Sequence, residues 1–392
     1  MTVGIRKLAI FGAAGAIGHA LAPELARRGI AFRAVGRRRQ TLADAFGGLA
    51  GTEIVDADLS DPQQAERAAQ GVDTIVYAVG VPYTDFDQHP VLMRTTLDAA
   101  VRAGVARLLL VTGIYTYGVP RTSRVAETHP REPDSHKGQC RKQQEDMVTE
   151  AHQRRGLRTM VVRLPDFYGP HTGRSMAGRI FGSALDGKTA NWVGPASTPH
   201  EFIFVPDTAP VLAELAGRQD CYGEAWNLGG VETISGIDFM TRVYRAAGRD
   251  PDYRSVGRTM LKMAGAVNPM LKELVEMLYL QETPVILDDR KLAATLGILA
   301  KTSYDDGIRR TLEWMRAQQA RLVSEPRPYG AVGVVDPQRF RPVDRRKRLS
   351  HFAARAFAGG VGQALPPANS LTIAPTTAPY GRGAETVTAF RG

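Results

Sequence analysis

An apolar run, Lys7-Leu8-Ala9-Ile10-Phe11, leads directly into Gly12-Ala13-Ala14-Gly15-Ala16-Ile17-Gly18, and an Ala/Leu-rich stretch follows to about Arg28. The run reads as a strand and the stretch as a helix. Three glycines at this spacing between a strand and a helix have a specific mechanical use. Gly12 permits the tight turn, Gly15 lets backbone approach a pyrophosphate at the helix N-terminus, and Gly18 lets the helix pack closely on the sheet. A glycine-rich turn without a ligand is the plainer alternative. Strand, spacing and helix occurring together favour a dinucleotide site, and Ile17 is counted among its contacts.

The second strand, AFRAV, bears on which nucleotide is held. A site for a free ribose 2′-hydroxyl places Asp or Glu at the end of this strand. Here the chain has Gly36-Arg37-Arg38-Arg39. A guanidinium pairs bidentately with a 2′-phosphate, so Arg37 points to NADP(H) over NAD(H). Asp58-Leu59, ending the third strand TEIVDADL, and Ala78, in the fourth strand DTIVYAVG, complete the expected cofactor contacts.

RLLLVTG and TMVVRLP supply a fifth and a sixth strand, with helical periods between the strands. Apolar runs without strict alternation indicate parallel strands buried on both faces. The fold class is therefore α/β, a Rossmann-type doubly wound parallel sheet over residues 1–170, with ligands at the carboxyl ends of the strands. Residues 171–324 mix short strands (NWVG, FIFV, AWNLGG) with helices at Gly236–Ala247, Pro269–Leu280 and Tyr304–Gln319. They read mainly as a smaller C-terminal α/β substrate lobe, with late segments free to return to the first sheet.

Of the net charge of +10, the last 68 residues carry +6, from ten Lys and Arg against four Asp and Glu. The body is thus only mildly basic, and nucleic acid is not an expected partner. Residues 325–392 are Pro- and Gly-containing and read as a disordered tail, within which 345–357 has the pattern of a basic amphipathic helix. Two distant cysteines, Cys140 and Cys221, suit a reducing cytosol and a cytoplasmic location. No signal peptide or membrane span is expected. The histidines show no metal spacing, so no metal is expected, and Cys140 has no evident His beside it for nucleophilic catalysis.

The pieces GAAGAIG, DADL, LLLVTGIYTYG, VVRLPDFYGP, HEFIFVPDTA, AWNLGG and LDDRKLAATLG with DDGIRRTLEWMR resemble, in the same order, the extended short-chain dehydrogenase/reductases, the NAD-dependent epimerase/dehydratase family. The resemblance covers residues 7–317 and implies a substrate cleft between the two lobes. It also implies a catalytic set of Ser or Thr followed by Tyr-x-x-x-Lys, in which Lys lowers the Tyr pKa and Tyr exchanges a proton with a carbonyl while hydride moves. This chain departs from that set. Gly113 falls at the hydroxyl position, with Thr112 one residue earlier, and Lys137 and Arg141 stand where Tyr and Lys belong. An Arg does not deprotonate near neutral pH. A buried Lys next to it is a candidate acid or base.

Lys137 and Arg141, four apart on one helix, should face the same side and line the cleft. Tyr115, in the loop after the fifth strand, is the other candidate donor. Tyr168 and His200 are candidate substrate contacts, although core packing is the more ordinary role for Tyr168 and Tyr117, a structural ion pair for Arg163, and capping a strand as ordinary as binding for His200. Two functions follow. One is an NADP(H)-dependent oxidoreductase with a non-standard proton donor, acting on a small molecule. The other is a non-catalytic NADP(H)-binding redox sensor. A homodimer is left open.

Overall fold

The computed structural model describes residues 4–324 except 174, 267 and 268. The tail 325–392, with its expected disorder and its helix-like stretch at 345–357, lies outside the described residues.

Seven parallel strands form the central sheet: β1 (Leu8–Phe11), β2 (Phe32–Gly36), β3 (Thr52–Asp56), β4 (Thr74–Tyr77), β5 (Arg107–Gly113), β6 (Arg158–Leu164) and, much later in the chain, β10 (Ala225–Asn227). Their spatial order is β10-β6-β5-β4-β1-β2-β3. This is the doubly wound order, extended by one strand. Apart from the edge strand β3, the strands are buried along almost their whole length because helices cover both faces. One face carries α1 (Ala16–Arg27), α2 (Arg39–Phe46) and α7 (Val205–Gly217), packed through Leu21, Leu25, Leu42, Leu212 and Leu215. The other carries α3 (Pro62–Ala69), α4 (Gln88–Arg102) and α5 (His136–Arg154), packed through Ala65, Leu97, Val148 and Ala151.

The second lobe contains β7 (Asp166–Tyr168), β8 (Ala190–Val193), β9 (Pro199–Phe204), β11 (Thr233–Ser235) and β12 (Tyr253–Val256), in one three-stranded and one two-stranded sheet. Around them run α6 (Met176–Asp186), α8 (Gly236–Ala247), α9 (Arg258–Gly265), α10 (Pro269–Glu276), α11 (Tyr279–Glu282), α12 (Arg290–Leu296) and α13 (Tyr304–Ser324). The core of this lobe is aromatic, with Phe181, Trp192, Phe202, Phe239 and Tyr304 buried together. A cut at residue 170 does not separate the two lobes. α7 and β10 run back to the first sheet, as the sequence left open. Among the described residues no helix is long and apolar enough to cross a membrane.

One buried polar network fixes α5 over the sheet. Arg163 on β6 is 3% exposed, and its Nε and Nη2 donate to the two oxygens of Glu145 on α5, at 3.1 and 2.7 Å. Arg163 Nη1 donates to the Tyr117 hydroxyl at 2.8 Å, and that hydroxyl donates to Asn227 Oδ1 on β10 at 2.7 Å. Tyr117 and Arg163 thus have the packing role that the sequence allowed them. Removing one member of a buried ion pair strands the other charge, at a cost of about 3–5 kcal/mol. We expect Glu145→Ala to lose that much in urea denaturation and Glu145→Leu/Arg163→Met to lose clearly less. A single-variant loss below about 1 kcal/mol would show that the pair does not anchor α5.

Candidate active site

The strand order reverses between β1 and β4, which opens a crevice at their carboxyl ends. The backbone is closely drawn there. Gly12 has φ of +86°, and a Cβ on it would lie 2.7 Å from the Ala78 carbonyl oxygen. A Cβ on Gly18 would lie 2.0 Å from the Ala13 carbonyl oxygen, so only glycine lets α1 sit this close. Gly15 is extended and stands as the N-cap of α1, with no side chain accepting from the first helical N–H groups. Those groups and the helix dipole fit the pyrophosphate of a dinucleotide. Ile17 and Leu59 are each 7% exposed and point into the core, so any contact they make with a ligand runs through backbone.

At the end of β2 the three arginines differ. Arg39 is tied to Asp56 at 3.3 Å, whereas Arg37 is exposed and carries no hydrogen bond or salt bridge among the described residues. Asp58 is occupied by its own turn, accepting from Ser60 N and Oγ at 2.9 and 2.7 Å, which holds its carboxyl below the usual range.

Beyond this cradle, loops from β4, β5 and β6 and the first turns of α5 form a polar cluster. Gly113 ends β5 and a tight helical turn follows at Ile114–Tyr117. The Tyr115 hydroxyl lies 2.6 Å from that of Tyr83, in a matching turn after β4. Burial pushes both phenols above their ordinary pKa, Tyr115 far above it. Asp166, just past β6, is close enough to act on both phenols, and burial raises its own pKa to about 6. Arg141 Nη1 donates to Gln144 Oε1 at 2.8 Å and faces His89 Nδ1 at 3.3 Å. His89 is pushed to about 2 by burial and by the Arg141 charge, so it is a neutral acceptor. The Nε of Arg141 and the hydroxyl of Thr112 are buried without partners.

Lys137 and Arg141 do face the same side, both over the Phe86 ring, at 5.9 and 5.3 Å from its centroid. Lys137 is fully buried, but it is not a free amine. Its Nζ pairs with Glu273 and, at 3.0 Å, with Glu276, both from α10. Its backbone N–H also donates to Glu276 at 2.7 Å.

Two residues read as substrate contacts lie elsewhere. Tyr168 is 1% exposed among Phe181, Phe204, Phe239 and Tyr304, because β7 carries the chain out of the crevice into the second core. His200 on β9 stands edge-on to Trp192 at 5.1 Å, and burial lowers its pKa to about 4. Its inward position follows from strand alternation, since Phe202 shares its face.

The sequence reading missed Tyr83, His89 and the α10 glutamates. Only VPYTDF after the fourth strand, a Tyr at a strand's carboxyl end, offered a signal. It also found no His beside Cys140, and the structure corrects this. His136 is one helical turn before Cys140, its Nε2 3.6 Å from Sγ, and Asp87 joins them.

Residues 12–178 match the family model described as NAD(P)H-binding. The chain is 23% identical over 299 residues to 3beta-hydroxysteroid-dehydrogenase/decarboxylase isoform 2 of Arabidopsis thaliana, covering 67% of this chain and 51% of that protein. It is 25% identical over 225 residues to a dTDP-glucose 4,6-dehydratase of an Actinoplanes species, covering 57% of this chain and 64% of that protein. The chain therefore spans between half and two thirds of the length of these relatives. Among solved structures, DesIV, the dTDP-glucose 4,6-dehydratase of Streptomyces venezuelae with NAD and TYD bound, superposes with a TM-score of 0.69 at 22% identity, over 80% of this chain and 98% of that one. The UDP-glucuronic acid 4-epimerase of Bacillus cereus in complex with NAD gives 0.66 at 16% identity, over 80% and 99%. The chain thus carries an NAD(P)H-binding domain over residues 12–178, and its seven-stranded sheet and second lobe share the fold of these dehydratase and epimerase structures.

Proposed function

We propose that this chain is an NADP(H)-dependent oxidoreductase that reduces a carbonyl or conjugated carbonyl of a small molecule, with Tyr115 as proton donor. The observation that carries the reading is the 2.6 Å pair of Tyr115 and Tyr83 hydroxyls at the carboxyl edge of the sheet, beside Arg141 and Asp166. NADPH in the glycine cradle would supply the hydride. A phenol raised above its ordinary pKa keeps its proton, so Tyr115 acts as an acid and favours the reductive direction. As its proton passes to the substrate oxygen, negative charge develops on the phenol oxygen. Arg141 is placed to offset that charge, because its guanidinium acts to lower the pKa of both Tyr115 and Tyr83. Tyr83 passes its proton to Tyr115 through the shared hydrogen bond and takes one back from solvent, so one solvent proton replaces the one delivered to the substrate. Lys137, committed to Glu273 and Glu276, is a positioning residue that holds α10 against α5.

That same commitment favours a second reading, a cofactor-binding sensor without turnover. The solved relatives bind NAD, and those named above act on nucleotide sugars. A nucleotide-linked sugar is therefore the first substrate class to screen. Production of NADP+ from NADPH with any carbonyl in such a screen separates enzyme from sensor.

If Arg37 reads the 2′-phosphate, calorimetry should show NADPH binding about 10- to 100-fold tighter than NADH, the worth of a charged hydrogen-bonded pair. Arg37→Asp should erase or reverse the preference, and equal affinities in the unmodified protein would sink the assignment.

Tyr115→Phe should lower kcat by about 100-fold or more with NADPH affinity nearly unchanged, and Tyr83→Phe should lower it less. Unchanged turnover in Tyr115→Phe would move the donor elsewhere.

Asp166 has a folded pKa of about 6 against an ordinary value of 3.8, so the folded state holds a proton that the unfolded state has lost between these values. Stability falls as pH rises through that window and is flat above it. Asp166→Asn should match the parent below pH about 4 and exceed it by up to about 3 kcal/mol above pH about 6. Parallel stability curves across pH would show that Asp166 is not buried as described.

A further inference from the structure

Three side chains from two helices converge beside the cleft and take no part in the reduction proposed above. His136 and Cys140 lie one turn apart on α5, which sets them on one face. Ser135 caps this helix, its Oγ accepting from Gly138 N at 3.1 Å, and so fixes where that face points. Asp87 precedes α4 at the N-cap position but accepts no hydrogen bond from α4's own backbone. Its carboxylate turns instead to α5, with Oδ1 at 2.7 Å from His136 Nε2 and 3.8 Å from Cys140 Sγ. The third separation, Cys140 Sγ to His136 Nε2, is 3.6 Å.

This arrangement does not suit a thiol nucleophile. In a Cys-His-Asp relay the acid holds one ring nitrogen and the thiol meets the other. Here both address the same nitrogen, Nε2, so the donors point at one another around a common centre. A shared point among a thiolate, an imidazole and a carboxylate is what a small borderline-soft cation requires. Zinc bond lengths of about 2.0–2.3 Å put tetrahedral ligand atoms about 3.3–3.6 Å apart. The two sulfur separations are already close to that, and only the His136–Asp87 pair must open, by about 0.6 Å, as its hydrogen bond gives way to metal. Both side chains are free to move, being 57% and 76% exposed. The sulfur is buried, the other two ligands face solvent, and a fourth position is left to water.

We propose that Asp87, His136 and Cys140 form a binding site for a divalent cation of the zinc class. The ion joins the start of α4 to the first turn of α5. It fixes the turn that carries Lys137 and Arg141, and it makes this helix junction sensitive to metal supply. The proposal does not depend on the reaction assigned to the cleft.

The test uses the full chain, reduced and stripped with a chelator, and titrated with Co2+ alone. One equivalent of Co2+ should bind with a thiolate-to-cobalt charge-transfer band, and Zn2+ should displace it. Cys140→Ser should abolish the band, and His136→Gln and Asp87→Asn should each weaken Co2+ binding at least 10-fold, while Cys221→Ser should bind like the parent. His136 and Asp87 are surface residues, so their variants fold even if Cys140→Ser does not, and melting curves in metal-free buffer verify this. Zn2+ at about 100 times its Kd should raise the melting temperature of the parent and leave that of His136→Gln unchanged. Absence of the band at saturating Co2+, or a band and affinity that persist in His136→Gln and Asp87→Asn, would overturn the site.

Discussion

A guanidinium and a carboxylate, both withdrawn almost entirely from water, hold α5 against β6, and the site depends on where that helix lies. Arg163 and Glu145 are each too costly to bury alone. Together, with Arg131 on the outer side of Glu145 and Tyr117 on the far side of Arg163, they leave little unsatisfied charge. Because Tyr117 passes the bond on to Asn227, the same network also locates β10, a strand that arrives more than sixty residues after β6. The register of α5 over the sheet is thereby set, and with it the positions of Lys137 and Arg141 on its opening turns.

Those two cations are treated differently by their surroundings. Lys137 meets two carboxylates from α10, so its charge is spent locally and its effect is mechanical. Among the described residues Arg141 has no carboxylate in hydrogen-bond contact. Its bonds go to a neutral amide and a neutral imidazole, and its field reaches the phenols of Tyr77, Tyr83 and Tyr115. Glu145 acts on Arg141 without touching it, so the Arg141 charge is only partly offset and still acts on the phenols over several ångströms. On the proposed reading, the electrostatic work expected of a Lys four residues after a Tyr falls to Arg141, and the acid it serves lies off the helix, in the loops after β4 and β5.

The first sheet was legible because its signals are local. Apolar runs mark buried strands, and glycines at fixed offsets mark a backbone approach that Gly12 and Gly18 display within 3 Å. The placement of β10 was only allowed for, since nothing in AWN says which strand it will join. Tyr168 shows how a correct strand can carry a wrong orientation. It follows the sixth strand closely, but β7 pairs with β9 and turns the ring into the aromatic core. The cleft cluster was half legible: Tyr115 was named from its loop, whereas Tyr83 reaches it across 32 residues of sequence. The Asp87–His136 contact spans 49 residues, and a His-x-x-x-Cys spacing on one helix carries no message until the third group is seen beside it.

On the proposed reading, Lys137 stands where the family carries its acid, and the acid comes from a neighbouring loop. Tyr in the helix, where the family carries it, would project from a rigid turn toward the carboxyl edge of the sheet. In this chain the equivalent reach is made by two phenols on short turns, one after each of two adjacent strands, joined by a 2.6 Å hydrogen bond. Each turn is held by the strand that precedes it, so the pair inherits the rigidity of β4 and β5. The fold constrains the ends of its strands far more tightly than the identity of the residue on any one helix face. If Tyr115 is the donor, as proposed, the acid has changed elements while staying on that edge, with a cation still within reach. On the proposed reading Arg141 is that cation; burial lowers its pKa, while the nearby Tyr115, Tyr77 and Glu145 act to raise it.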